Sequence, residues 1–122
     1  MLIWVIDGDG DIIDDMQEWF PESDVRGFDV ATDVFREPGP PDAMLIDIGK
    51  LAGDWPQPQL AARIARQMIE SFGNATVFVT SAVGVWAQDA VDEMREDGLV
   101  PIYLGPEDRD KWPEMMAAYG VH

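Results

Sequence analysis

The sequence contains no cysteine and a single histidine, His122, at its last position. Without cysteine there is neither a disulfide nor a thiolate metal site, and one histidine argues against histidine-based catalysis. No apolar run approaches the roughly 18 residues that a membrane span requires, and the N-terminus lacks the basic start of a secretion signal. We therefore expect a soluble, cytoplasmic protein that does not bind a membrane.

Basic residues are also scarce, because eight Lys and Arg stand against 24 Asp and Glu, for a net charge of −16. The imbalance lies in the first half, where residues 1–54 hold 14 acidic and three basic side chains. Such a field repels nucleic acid and attracts cations or basic partners. We therefore expect no direct binding of nucleic acid and a protein partner with a basic patch. Acidity that serves only solubility is an equal alternative.

The apolar residues, 47% of 122, are sufficient for the core of one domain. Residues 2–6 form an unbroken apolar run, typical of a strand buried on both faces of a parallel sheet. Asp7 and Asp9 follow it directly, and open α/β sheets place their sites at this end of a central strand. Clustered carboxylates repel one another unless a cation lies between them, so we predict that Asp7 and Asp9 bind a metal ion.

Strands and helices are predicted to alternate along the rest of the chain. Strands are expected at residues 2–6, 25–30, 43–49, 75–81 and 100–104, and helices at 11–20, 58–72, 85–97 and 113–119, with a short helical turn at 31–36. Asp11 is the expected N-cap of the first helix, and Val85 is expected on the inner face of the third. This order predicts a parallel sheet with helices on both faces, in one domain spanning residues 1–122.

Three predicted strands end in chemically interesting side chains: Asp7 and Asp9 after the first, Asp47 after the third, and Thr80 with Ser81 after the fourth. In this order they resemble the receiver domain of bacterial response regulators, over nearly the whole chain. The resemblance implies a flavodoxin-like three-layer sandwich with a five-stranded parallel sheet, order 2-1-3-4-5, here with a shortened second helix. It also implies Mg²⁺ at the acidic pair and Asp47, phosphorylation of Asp47 by a histidine kinase, and contact of Thr80 with the phosphoryl oxygens.

The sequence departs from the receiver pattern at two places. Gly8 stands where the second acid of the pair belongs, with Asp9 one residue further on, and Gly105 replaces the lysine that precedes a proline in the family, here Pro106. Aspartyl phosphorylation depends on a metal and cations around the transferring group. The departures therefore favour a stand-alone pseudo-receiver, a protein-interaction module in signalling rather than an enzyme, whose aspartyl phosphorylation is lost or altered.

Three other interpretations stay open. A working Mg²⁺-dependent receiver would use Asp47 as its phosphoacceptor. The segment Asp7-Gly8-Asp9 also resembles the first motif of haloacid-dehalogenase-type phosphatases, which implies Asp7 as nucleophile and Asp9 as general acid and base. Finally, the charge of −16 would allow the protein to mimic nucleic acid and block a nucleic-acid-binding protein.

Aromatic residues give two further predictions. The aromatic switch position of receivers corresponds to Ile102, with Tyr103 one residue away. Among the tryptophans, Trp4 is expected in the core. Trp55 and Trp112 each precede a proline in a polar setting, which makes them candidates for an exposed partner-binding surface, with capping of the core as the alternative.

Overall fold

The computed structural model describes residues 1–6, 10–28, 31–48 and 58–122. Its strands are β1 (Leu2–Ile6), β2 (Asp24–Phe28), β3 (Ala43–Asp47), β4 (Thr76–Thr80) and β5 (Ile102–Tyr103). Its helices are α1 (Gly10–Trp19), α2 (Pro58–Ser71), α3 (Gly84–Glu96) and α4 (Trp112–Ala117), with 3₁₀ helices at Ala31–Arg36 and Pro106–Lys111. The strands form one parallel sheet in the order β2-β1-β3-β4-β5. This order and the short helix at Ala31–Arg36 confirm the predicted fold class.

The strands whose sequences are apolar runs lie in the middle of the sheet. All five residues of β3 are buried, as are the last four of β1 and of β4. A central strand of a parallel sheet is covered by helices on both faces, so it has no solvent-facing side that could carry polar residues. The polar residues of these strands are therefore confined to their ends.

Side chains of the strands alternate between two cores, because successive residues of a strand point to opposite faces. On one face, Trp4 and Met44 pack against α2 and α3. On the other face, Leu45 and Phe78 pack against α1 and α4. The helices thus cover both faces of the sheet. Among the described residues, none of the helices has the length and apolar composition that a membrane span requires.

Two details of the helix predictions are wrong. The first helix begins at Gly10, so Asp11 lies in its first turn and not at the N-cap; there its charge still favours the positive end of the helix dipole. Val85 is exposed, at 59%, and Ala87 is buried in its place. Residues two apart on a helix lie about 200° apart around its axis, so a helix that buries Ala87 directs Val85 to solvent.

The fifth strand is shorter than predicted, with two residues instead of the five from 100 to 104. Pro101 has no N–H to donate to a neighbouring strand, which disfavours pairing at this position. Its carbonyl oxygen accepts two hydrogen bonds from the Arg95 guanidinium, at 3.2 and 3.1 Å. Residues 100 and 101 therefore form a loop that α3 holds in place.

Candidate functional site

The ends of β3 and β4 bring together two of the predicted site residues. Asp47 and Thr80 are the last residues of these strands and are direct partners in the parallel register. Each lies two positions after a residue of the α1/α4 core, Leu45 or Phe78, so strand alternation directs both side chains to that face. Both are buried, with exposures of 6% and 2%. A carboxylate and a hydroxyl are thus neighbours on adjacent strands, whose separation is about 4.8 Å.

Ser81, the second hydroxyl after β4, has a structural role in the turn that follows. Its Oγ accepts a hydrogen bond from the backbone N–H of Val83 at 3.1 Å, and its side chain is buried. This bond shapes the turn from β4 into α3. Thr80 is therefore the hydroxyl that belongs with Asp47.

The end of β1 lies at the same edge of the sheet, because Ile6 pairs with Ile46, the residue before Asp47. Asp7 and Asp9 come next in the sequence, but they lie outside the described residues. Within the described ranges, no three His, Cys, Asp or Glu side chains are grouped to hold a metal ion. Carboxylate oxygens suit Mg²⁺, and of the three ligands that the sequence predicts only Asp47 lies within the described residues. The magnesium site at Asp7, Asp9 and Asp47 stays a prediction.

The end of β5 carries a carboxylate where the receiver pattern has a lysine. Gly105 is buried, with backbone angles of −72° and 139° that any residue can adopt. A Cβ atom at this position would lie 2.5 Å from Oε1 of Glu107. The exposed Glu107 carboxylate therefore lies where a side chain at position 105 would begin, and it would have to move for a lysine there. A carboxylate thus lies beside the position at which the receiver pattern has a lysine.

Sequence reasoning missed the position of Glu107 because nothing in the local pattern predicts it. The residue belongs to the 3₁₀ helix Pro106–Lys111, whose six residues carry no apolar periodicity. Pro106 is a signal for the start of this helix, since proline is common in a first helical turn, but it does not predict where the Glu107 side chain lies.

The two candidates for the aromatic switch lie on opposite faces of the sheet. Ile102 packs into the α1/α4 core, whereas Tyr103 packs against the α2/α3 core. The Tyr103 hydroxyl lies close to the start of α3, 3.0 Å from where a Cβ on Gly84 would be. The aromatic ring of β5 is therefore on the face away from Asp47 and Thr80.

Ionisation of Tyr103 is expected to destabilise the fold at high pH. Its pKa is raised from 10.0 by burial, and further by the negative charges of Glu107 and Asp108. The folded state thus holds this proton more tightly than the unfolded state, so the contribution to stability is complete below pH 10.0 and is lost as the pH rises through the folded pKa. Urea unfolding across this alkaline range should show a steeper loss of stability for the parent than for Tyr103→Phe. Glu107→Gln should give an intermediate slope, because it removes one of the negative charges that raise the pKa of Tyr103. Equal slopes for the parent and Tyr103→Phe would contradict the assignment of this pH dependence to Tyr103.

Trp112 is not the exposed contact residue that the sequence suggested. It is 2% exposed, and its Nε1 donates a hydrogen bond to the carbonyl oxygen of Gly105 at 2.8 Å. The ring of Trp19 meets it edge-on at 6.3 Å. The surface interpretation is wrong for Trp112, and the alternative, that it caps the core, is confirmed, because Pro113 lies in the first turn of α4 and not in a polar loop. Trp55, the other candidate, lies outside the described residues.

Comparison with known proteins gives similarity of structure without similarity of sequence. No protein-family model matches the chain, and no curated protein matches its sequence. The BeF3-activated receiver domain of DrrB, from Thermotoga maritima, superposes with a TM-score of 0.68 at 20% identity, over 98% of this chain and 94% of that chain. This chain has the fold of a response-regulator receiver domain.

Two further receiver structures also superpose on this chain. The BeF3-activated receiver domain of NtrC has a TM-score of 0.65 at 17% identity, over 99% of this chain and 97% of that one. A response regulator receiver protein from Pseudoalteromonas atlantica has a TM-score of 0.63 at 12% identity, over 100% of both chains. The resemblance to receiver domains, predicted from the residues at the strand ends, is therefore confirmed for the fold.

Proposed function

We propose that this chain is a pseudo-receiver, a signalling module that acts by binding a protein partner and whose aspartyl phosphorylation is lost or altered. The receiver fold supports the signalling role, and the adjacent Asp47 and Thr80 lie at the strand ends where the resemblance implies a phosphoacceptor and a hydroxyl that contacts the phosphoryl group. The observation that carries the proposal is the Gly105 backbone with the Glu107 carboxylate over it.

The chemistry of phosphoryl transfer explains why this one replacement matters. The transferring group carries charge on its three equatorial oxygens, and catalysis consists mainly of positioning and of cations that stabilise that charge. A lysine at position 105 would supply a full positive charge. Glu107 supplies a negative one in the same space, so the electrostatic contribution at this edge changes sign.

The acidic surface supports a basic protein partner. On α1, Asp11, Asp14 and Glu18 are all exposed, and their spacing places them along one side of the helix. Such a row attracts a basic patch and accelerates association at low salt. Mg²⁺ bound at Asp7, Asp9 and Asp47 remains part of the proposal, as a cofactor that would reduce repulsion between these acids without restoring the missing lysine.

Incubation with acetyl phosphate and Mg²⁺, followed by intact mass measurement, tests the loss of phosphorylation. We expect no phosphoryl adduct on the parent protein, because no lysine stands at position 105 to stabilise the transferring group. Asp47→Ala is the matched negative control. An adduct that forms on the parent and disappears in Asp47→Ala would overturn the pseudo-receiver and establish the second candidate, a working phosphoacceptor, which the pairing of Asp47 with Thr80 favours.

A gain-of-function pair separates charge from shape in the same assay. Gly105→Lys combined with Glu107→Gln restores the positive charge and removes the negative one. Gly105→Met combined with Glu107→Gln has a side chain of similar length without the charge. The proposal expects the lysine variant alone to acquire an Asp47-dependent adduct. Adducts of equal yield on both variants would show that the charge at position 105 does not limit the reaction.

A further inference from the structure

A groove of about 560 Å³ lies at the end of the sheet opposite Asp47 and Thr80. The first residues of β4, Thr76 and Val77, form part of its wall, together with Ile102 of β5. Val100, on the rim, is 83% exposed, and Tyr119 is 53% exposed. Ligand sites typically have volumes of roughly 300–1,000 Å³ and mostly apolar walls with a few polar groups, and this groove fits that description.

The groove also carries little charge for so acidic a protein. Residues 71–88 and 98–106 contain no Asp, Glu, Lys or Arg, and both stretches contribute to its walls. Arg95 is the one charged side chain among the twelve residues that line it, although 26% of the chain is charged. An apolar ligand therefore meets no carboxylate on the groove wall.

In the part of the chain that the structure describes, Arg95 is held at the groove by hydrogen bonds to a neutral group and by no ion pair. Its Nε and Nη2 donate to the carbonyl oxygen of Pro101, a neutral group. These two bonds use two of the five N–H donors of a guanidinium and leave its positive charge in place. Within the described residues, no ion pair joins Arg95 to a carboxylate; the ion pairs found there are Arg26 with Glu37, Arg66 with Asp97, and Arg109 with Asp15.

Asp92, Glu93, Glu96 and Asp97 are the acids near Arg95 in the sequence, and among the described residues none of them forms an ion pair with it or lines the groove. Asp97 is engaged with Arg66 of α2, and Glu96 is exposed on α3 and does not line the groove. Exposed charges separated by more than about 8 Å are largely screened at physiological salt. At physiological salt, the net charge of −16 therefore weakens anion binding at this groove less than it would at low salt.

We infer that this groove binds an amphipathic monocarboxylate, with its aliphatic chain along the apolar wall and its carboxylate on the Arg95 guanidinium. The apolar wall, which includes Leu99 and Ile102, buries the chain, and each buried CH₂ raises affinity by up to about fourfold. Charge-assisted bonds from a guanidinium to a carboxylate fix the head group. The groove is remote from Asp47, so this binding does not depend on the proposed signalling function.

Titration of the full chain with sodium octanoate, followed by ¹H–¹⁵N spectra at physiological salt, tests the inference. We expect saturable shifts at groove residues such as Thr76, Leu99 and Val100. Affinity should rise about two- to fourfold for each CH₂ from hexanoate to decanoate. 1-Octanol should bind at least about fivefold more weakly than octanoate, since it lacks the charge that pairs with Arg95.

Substitutions test whether Arg95 binds the carboxylate head group. Arg95→Gln keeps a donor for Pro101 but removes the charge, and should weaken octanoate about tenfold while leaving 1-octanol unchanged. Arg63→Gln, an exposed arginine of α2 that does not line the groove, is the matched control and should change neither. Val100→Asp places a negative charge on the exposed rim and should weaken octanoate without unfolding the chain, so the test holds even if Arg95→Gln perturbs α3.

Several outcomes would overturn the inference. Equal affinities for octanoate and 1-octanol, tighter binding of octylammonium, or no saturable shifts at the groove would each exclude a carboxylate site. Shifts at these residues that depend on protein concentration without ligand would show that a second copy of the chain occupies the groove.

Discussion

Trp112→Ala is expected to lower the free energy of unfolding by about 3–5 kcal/mol, the range for removing a fully buried large aromatic side chain. The loss has two sources. The indole fills the α1/α4 core beside Trp19, and its Nε1 donates one of the two hydrogen bonds that the Gly105 carbonyl accepts. Helix α4 has six residues, too few to be stable by itself, so it depends on buried anchors such as Trp112 and Met116.

Urea unfolding of Trp112→Ala, Trp112→Phe and Val85→Ala measures this effect. Trp112→Phe keeps an aromatic ring but removes one of the two hydrogen bonds that the buried Gly105 carbonyl accepts, the other coming from the Asp108 N–H; this loss should cost about 0.5–1.5 kcal/mol. Val85 is 59% exposed, so its truncation should change stability by less than about 0.5 kcal/mol. A loss below about 1 kcal/mol in Trp112→Ala would contradict the buried anchor.

Trp4→Ala is expected to be comparably severe, at about 3–5 kcal/mol, for a different reason. Trp4 lies on the central strand β1 with 0% exposure. Its ring meets Phe28 edge-on at 5.4 Å and Phe72 at 5.2 Å. The loop at Gly39 also packs on the indole, because a Cβ there would lie 3.1 Å from its Cη2 atom. Truncation would therefore open a cavity between the sheet, α2 and this loop.

The conservative change at Trp4 should have a smaller effect than the same change at Trp112. Among the described residues, Nε1 of Trp4 has no hydrogen-bond partner. Trp4→Phe removes this unsatisfied donor, whereas Trp112→Phe removes one of the two hydrogen bonds that the Gly105 carbonyl accepts. The difference between the two variants should be about 0.5–1.5 kcal/mol in favour of Trp4→Phe. The opposite order in urea unfolding would show that ring volume, and not hydrogen bonding, decides the effect.

The fold could be predicted from the sequence because its central strands are visible as apolar runs. Residues 2–6, 43–47 and 76–80 are each covered on both faces, so their composition does not depend on distant partners. Asp47 and Thr80 could be predicted as neighbours for the same reason, since parallel strands that alternate with helices end at one edge of a sheet.

The features that sequence did not predict depend on contacts between distant elements. Trp112 looked exposed beside Pro113, and its burial follows from how α4 packs on the sheet. The carboxylate of Glu107 over Gly105 depends on a 3₁₀ helix without an apolar pattern. The groove at Arg95 combines uncharged segments that precede and follow α3 in the sequence, and no local motif predicts such a surface.

The position of β1 in the sheet also has a consequence for the order in which the chain folds. This strand is synthesised before the other four, yet it lies between β2 and β3. Its first residue, Leu2, depends on a distant part of the chain, since its N–H donates a hydrogen bond to the Asp42 carboxylate 40 positions away. Until β3 leaves the ribosome, one edge of a hydrophobic strand stays unpaired, and such edges are prone to aggregation. The acidic residues that follow β1 in the sequence would keep this nascent segment soluble during the delay.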